Sequence, residues 1–259
     1  MKNEILLEWR YEPKNCIEEP YPIQEVDYVI DIDNGTAKVI LDFKYENDRN
    51  IIEKIRHRLE KEIQIIQLLI DKPCKLIDYE PRETWYHADG RIERIISTNA
   101  NLDTSSMSID FLVIGEDGTI RQDTRKERLE NQRLLLDLIN KHIDRDATLE
   151  AIIKSYSAAL KDPENEFIHL YEISEALEKR FGKEKYAREK LKITDKNYWG
   201  KIGKLANEPL RQSRHRGNFV GKLRDATPEE LTEARQIAKA MIQSYVNYLD
   251  EQANASSQL

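Results

Sequence analysis

The chain has 259 residues, with 41 Lys or Arg against 48 Asp or Glu, a formal charge of −7, 39% hydrophobic and 34% charged residues. That length allows one large domain or two ordinary ones, either able to bury its own core. No apolar run approaches the roughly 18 residues a bilayer span needs, and Glu4 and Glu8 interrupt the apolar N-terminal stretch, so neither a membrane segment nor a secretory signal is predicted and a cytoplasmic location is expected. The two cysteines, Cys16 and Cys74, have no CxxC spacing and no neighbouring His pair, which argues against a zinc site and a disulfide framework and marks both as incidental.

The first half reads as strands interrupted by one long helix. Val26, Tyr28, Ile30 and Ile32 alternate with mostly polar residues, Asn34-Gly35 follows, and Ala37, Val39, Leu41, Phe43 and Tyr45 alternate again, which predicts a hairpin closed by a tight turn. From Asp48 to Ile70 the spacing becomes helical, with Ile51, Ile55, Leu59, Ile63 and Ile66 in one stripe, until Asp71-Lys72-Pro73 ends it. Further strands are predicted at Cys74–His87, Arg91–Thr98 and Met107–Ile114, with Ala88-Asp89-Gly90 and Glu116-Asp117-Gly118 supplying turns. Asp27, Asp31, Asp33 and Asp42 read as the wet side of the sheet and not as a metal centre.

The second half carries no comparable strand signal. Helices are predicted at Thr124–His142, Leu149–Leu160, Glu164–Arg180, Glu184–Leu191 and Asp195–Ala206. Asp162-Pro163 places a capping side chain before a first-turn proline, and Thr227-Pro228-Glu229-Glu230 is a capping box that launches a last helix through Leu231, Ala234, Ala238, Met241, Tyr245 and Leu249. The fold class is therefore α+β: an antiparallel sheet with a long helix over 1–145, an all-α bundle over 146–252, and a frayed tail over 253–259. The helix from Thr124 to His142 fits either side of that boundary.

Charge is distributed unevenly. Between Lys179 and Arg224 fifteen Lys or Arg face four acids, an excess of eleven positive charges that leaves the remainder of the chain at −18. Such asymmetry points to a polyanionic partner. Within this block Arg211-Gln212-Ser213-Arg214-His215-Arg216-Gly217 gathers three arginines and one of five histidines. Guanidinium groups bind phosphate oxygens, and imidazole exchanges protons near neutral pH. Were the backbone helical from Asn207, then Asn207, Arg211, Arg214 and His215 would share a face. Pro209 instead stops the preceding helix near Ala206 and starts a new turn, placing Arg211 where a bound phosphate would offset the helix dipole.

An Arg followed by a polar residue, then a His a few residues later in a helical bundle, resembles the HEPN superfamily; here Arg211 is followed by Gln212, and three residues separate it from His215, where the family pattern has four to six. The resemblance covers at most Thr148–Glu251. It implies a metal-independent ribonuclease of defence, toxin or RNA-processing systems, without cofactor and joined as a homodimer, in which His215 moves a proton and Arg211 stabilises phosphoryl charge. Asn207, Lys204, Arg214, Arg216 and Lys222 would hold the RNA. Other members of that superfamily are non-catalytic.

Competing features read as structure. Tyr198-Trp199 on an amphipathic helix is expected in the core, and His169 and Tyr171 with Glu166, Glu172 and Glu175 are expected to form a solvated face without metal. Three functions remain open from the sequence: an RNA-directed nuclease, a non-catalytic module binding phosphate or another polyanion, and an accessory protein whose charged face docks a protein partner.

Overall fold

A computed structural model describes residues 3–46, 48–95, 112–114, 120–214 and 216–256 of the chain. It has an α+β architecture: an N-terminal antiparallel sheet of seven strands and a C-terminal helical region. The chain divides into two compact units at Ser108/Ile109, upstream of the expected boundary at 145/146.

In the first unit, β1 (Glu4–Glu12), β2 (Tyr21–Gln24), β3 (Val29–Asp33), β4 (Thr36–Asp42), β6 (Arg82–Tyr86) and β7 (Ile92–Ile95) order as β2-β3-β4-β1-β6-β7, and the two-residue β5 (Lys75–Leu76) pairs with the end of β1. The β3–β4 hairpin turns at Asn34 and Gly35, both with positive φ (41° and 83°), which matches the strand twist. Strand β1 was not expected, yet it lies between β4 and β6 and buries Ile5, Leu7, Trp9 and Tyr11 on alternate positions. The span expected as one strand from Cys74 to His87 is divided into β5 and β6. The first hairpin strand begins at Val29, and Phe43–Tyr45 form a 3-10 turn after β4. Of the two further strands expected, β7 and β8 (Leu112–Ile114) are the portions within the described residues.

Helix α1 (Arg49–Ile70) crosses the sheet. Asp48 accepts from the backbone N–H groups of Asn50 and Ile51 at its start, and Asp71 adopts left-handed geometry at its end (φ 55°). Its buried stripe of Ile51, Ile55, Leu59, Ile63 and Ile66 joins Ile5, Leu7, Trp9, Ile30, Ile32, Val39 and Leu41 in one core, each large side chain contributing about 1.5–3 kcal/mol on burial. Asp31, Asp33 and Asp42 alternate with the buried positions and are exposed, Asp31 standing opposite Lys38. No cluster of metal-ligating side chains occurs among the described residues.

The cysteines are not incidental neighbours of other residues. Both are buried, and Cys16 Sγ lies 2.6 Å from Cys74 Sγ.

The second unit contains β8 paired with β9 (Ile120–Asp123), then α2 (Thr124–His142), α3 (Ala147–Lys161), α4 (Glu166–Phe181), α5 (Glu184–Lys190), α6 (Lys196–Asn207) and α7 (Pro228–Ser256). Asp123 and Asp146 cap α2 and α3 through the N–H groups of Lys126 and Leu149. Asp162 does not cap an α-helix: Pro163–Asn165 form a 3-10 turn, and the Asp162 carboxylate instead accepts from Asn165 Nδ2 at 2.7 Å. Helix α7 packs against α2, α3, α4 and α6, so α2 belongs to the helical unit. It continues to Ser256, through most of the expected frayed tail; 257–259 lie outside the described residues. No helix among the described residues is long and apolar enough to cross a membrane.

Candidate nucleic-acid interface

The basic cluster sits in the connection between α6 and α7. Helix α6 buries Trp199, Ile202, Leu205 and Ala206, and Trp199 Nε1 donates to Glu178 at 3.3 Å, so this tryptophan is a core residue with a satisfied indole. Pro209 has no N–H to continue the ladder and disfavours helix at Glu208. The freed carbonyl of Ala206 gains another donor, the Arg214 backbone N–H at 3.1 Å, and the Asn207 side chain folds back to donate from Nδ2 to Gly203 O at 2.7 Å.

The loop closes on itself. Arg211 N donates to Arg224 O at 3.0 Å and Arg224 N donates to Pro209 O at 3.1 Å, forming a short parallel bridge between Leu210 and Arg224. Leu210 and Ser213 are fully buried beneath it, the Ser213 hydroxyl donating to Leu210 O at 2.8 Å, and Ala226 N donates to Gln212 Oε1 at 3.1 Å. Among the described residues of 209–217 none is in an α-helix. The residues after Pro209 form turns, and a 3-10 segment runs from Arg216 to Phe219, so the helical turn expected to begin at Pro209, with Arg211 in it, is absent. The Pro209 carbonyl is taken by Arg224 N, and Ser213 N, its helical donor, turns to Leu210 O at 3.1 Å instead.

The four described arginines of the loop differ in role. Arg224 donates to both carboxylate oxygens of Glu230, at 2.7 and 2.6 Å, and its Nη2 lies 3.4 Å from Glu208. Arg216 donates to the carbonyls of Glu164 and Arg211, at 3.1 and 3.0 Å, and to Asn165 Oδ1 at 2.7 Å. Arg214 stacks 4.5 Å from the Tyr171 ring centre and reaches Glu175 at 3.2 Å. These three brace the loop against α7, the turn before α4, and α4 itself. Arg211 is different: its side chain is 65% exposed, and its partner Asp225, at 3.2 Å, is 74% exposed. An ion pair this open is worth about 0–1 kcal/mol, so little holds it against a competing anion.

Among the other residues selected from the sequence, Lys204 is exposed with Glu208 at 3.8 Å, Lys222 is exposed, and Asn207 is occupied by Gly203 O. His215 lies outside the described residues. Much of the surrounding positive charge is balanced locally, as in Lys192 with Glu251 and Lys201 with Glu233. Lys179, Lys183, Lys190 and Lys222 are exposed with no ion-pair partner among the described residues.

The predicted solvated face on α4 holds for Glu172 and Glu175 but not for Glu166. That carboxylate is 1% exposed and receives Arg235 Nε and Nη2 at 2.6 and 2.9 Å. His169 lies between Asp162 at 3.4 Å and Glu172 at 3.6 Å. Sequence reasoning also missed a cleft of about 260 Å³ in the sheet unit, lined by Leu7, Leu41 and Trp85 together with Glu53, Glu80 and Glu83. Its acids outnumber its one arginine, Arg49, so it suits a cation better than a phosphate. No motif in the sequence marks it.

Comparison of the chain with models of known protein families, with curated proteins and with solved structures finds no match.

Proposed function

We propose that the helical unit binds RNA through the α6–α7 loop, with Arg211 as the principal phosphate contact, Lys204 and Lys222 as auxiliary cations, and Arg214, Arg216 and Arg224 as the braces that preorganise it. The observation that carries this reading is the contrast between Arg211, open to solvent and paired only with an exposed acid, and its three neighbours, each bound to two or more protein groups or stacked on a ring. A guanidinium that changes partner from an exposed carboxylate to a phosphate diester gains a bidentate contact, and the fixed loop backbone loses little entropy on binding. The segment's excess positive charge in an acidic protein supports a polyanionic ligand over an acidic protein surface.

Cleavage is the finer form of this proposal and rests on the sequence resemblance alone. His215 would take the proton from an RNA 2′-hydroxyl while Arg211 stabilises the phosphorane charge, with no metal in the step and two loops joined in a homodimer.

The test is incubation of purified protein with single-stranded and structured RNA in excess EDTA, alongside Arg211→Ala and His215→Ala. A salt-sensitive mobility shift lost in Arg211→Ala supports binding, and cleavage lost in both variants supports the nuclease form. A stoichiometric complex with an acidic protein and no RNA shift would contradict both.

A further inference from the structure

The buried contact between Cys16 and Cys74 lies in the sheet unit and is independent of the loop. Cys16 ends the 3-10 turn Lys14–Cys16 that follows β1, its N–H donating to Pro13 O at 3.0 Å. Cys74 immediately precedes β5, whose pairing with β1 sets Tyr11 opposite Leu76 and Glu12 opposite Lys75. On its other side the Cys74 carbonyl accepts from the Gln67 side chain, which is fully buried on α1. Each cysteine is thus positioned by its own backbone bonds and strand register, and both sets of constraints deliver the sulfurs to the same point.

Their separation of 2.6 Å is well inside the ~3.5–4.0 Å kept by non-bonded atoms of carbon size. Two thiols held there relieve the overlap either by moving apart against the register or by bonding, since a disulfide needs only about 2.05 Å between its sulfurs. The chain has no other cysteine, so no alternative pairing competes.

We propose that Cys16 and Cys74 are a disulfide-forming pair that clamps the end of β1 to the exit of α1 when the protein meets a thiol–disulfide oxidant such as glutathione disulfide. One cysteine thiolate attacks the oxidant, forming a mixed disulfide and releasing one glutathione thiolate. The second cysteine then displaces the other glutathione. The two cysteines lose two electrons and two protons, and two reduced glutathiones carry them away. The closed loop contains β2, β3, β4 and α1, the bulk of the helix-on-sheet core. The adjacent Cys74 thiol and burial push the Cys16 thiol up, so the attacking thiolate forms slowly while the pair stays buried.

The full chain is incubated with glutathione disulfide or with dithiothreitol, natively and in sub-denaturing urea so that slow access to buried sulfur is overcome. It is then quenched in acid, unfolded, treated with maleimide and weighed intact. Expected after oxidation are loss of two hydrogens, no maleimide adduct, a cross-linked peptide pair carrying Cys16 and Cys74, and a melting temperature higher by about 10 °C or more; dithiothreitol restores two adducts. Cys16→Ser and Cys74→Ser should each retain a single glutathione or maleimide. Two free thiols after oxidation in both conditions, a persistent mixed disulfide, or a disulfide-linked dimer of the full chain would overturn the proposal.

Discussion

Arg224 meets Glu230 through its two terminal guanidinium nitrogens, at 2.7 and 2.6 Å, and the same carboxylate accepts the Thr227 N–H at 2.9 Å while Thr227 Oγ1 accepts from Glu230 N at 3.2 Å. One side chain therefore closes the capping box of α7 and anchors the return of the basic loop. The arrangement couples the start of a helix to the shape of a candidate interface.

This coupling has a pH signature. The Arg224 guanidinium, with help from the Thr227 N–H, holds the Glu230 carboxyl down to about 2. Because the folded value is depressed, the stabilisation is complete above the ordinary carboxylate range and disappears as pH falls through the folded value. Urea midpoints of wild type and Glu230→Gln should differ by a constant amount above about pH 5 and converge toward pH 2. A gap independent of pH over that window would show that the carboxylate charge contributes nothing.

The buried pair between Glu166 and Arg235 should behave asymmetrically. Arg235→Ala leaves a carboxylate at 1% exposure without its two charged donors, a change expected to cost about 3–5 kcal/mol. The double variant Glu166→Leu/Arg235→Met removes both charges and should recover most of that loss. Urea denaturation read by circular dichroism distinguishes these outcomes, and a loss below about 1 kcal/mol for Arg235→Ala would show that the carboxylate finds other partners.

At the β3–β4 turn, Gly35→Ala combines two penalties. The backbone has φ of 83°, and a Cβ would lie 2.6 Å from Lys14 Cγ. The substitution should cost about 1–2 kcal/mol. Adding Lys14→Ala removes Cγ and Cδ but leaves the Lys14 Cβ contact at 3.1 Å and the dihedral strain, so thermal melts should show partial rescue only. Full rescue would assign the whole cost to the Lys14 Cγ and Cδ contacts.

The helices were legible because their apolar spacing is regular, and the start of α7 also carries a readable capping box at Thr227; the caps at Asp48 and Asp123 became visible only in the structure. Strand β1 was equally regular at Ile5, Leu7, Trp9 and Tyr11, with only Leu6 breaking the alternation, but its central place depends on pairings with β4 and β6 that sequence order does not reveal. The pairing of Arg235 with Glu166, 69 positions away, likewise has no local signal, so Glu166 resembled its solvated neighbours on α4. The basic loop was legible as composition but not as shape: Pro209 marks the end of α6, while the reciprocal bonds between Pro209, Arg211 and Arg224 replace the helix that the next residues were expected to begin.

The most direct test of the central claim is the salt dependence of single-stranded RNA affinity for wild type, Arg211→Ala and Arg211→Lys. If Arg211 contacts phosphate, Arg211→Ala should weaken binding and reduce the slope of log K against log salt by about 0.7, with Arg211→Lys retaining the slope at lower affinity. Unchanged affinity and slope in Arg211→Ala would contradict the account and leave Arg211 as a surface partner of Asp225.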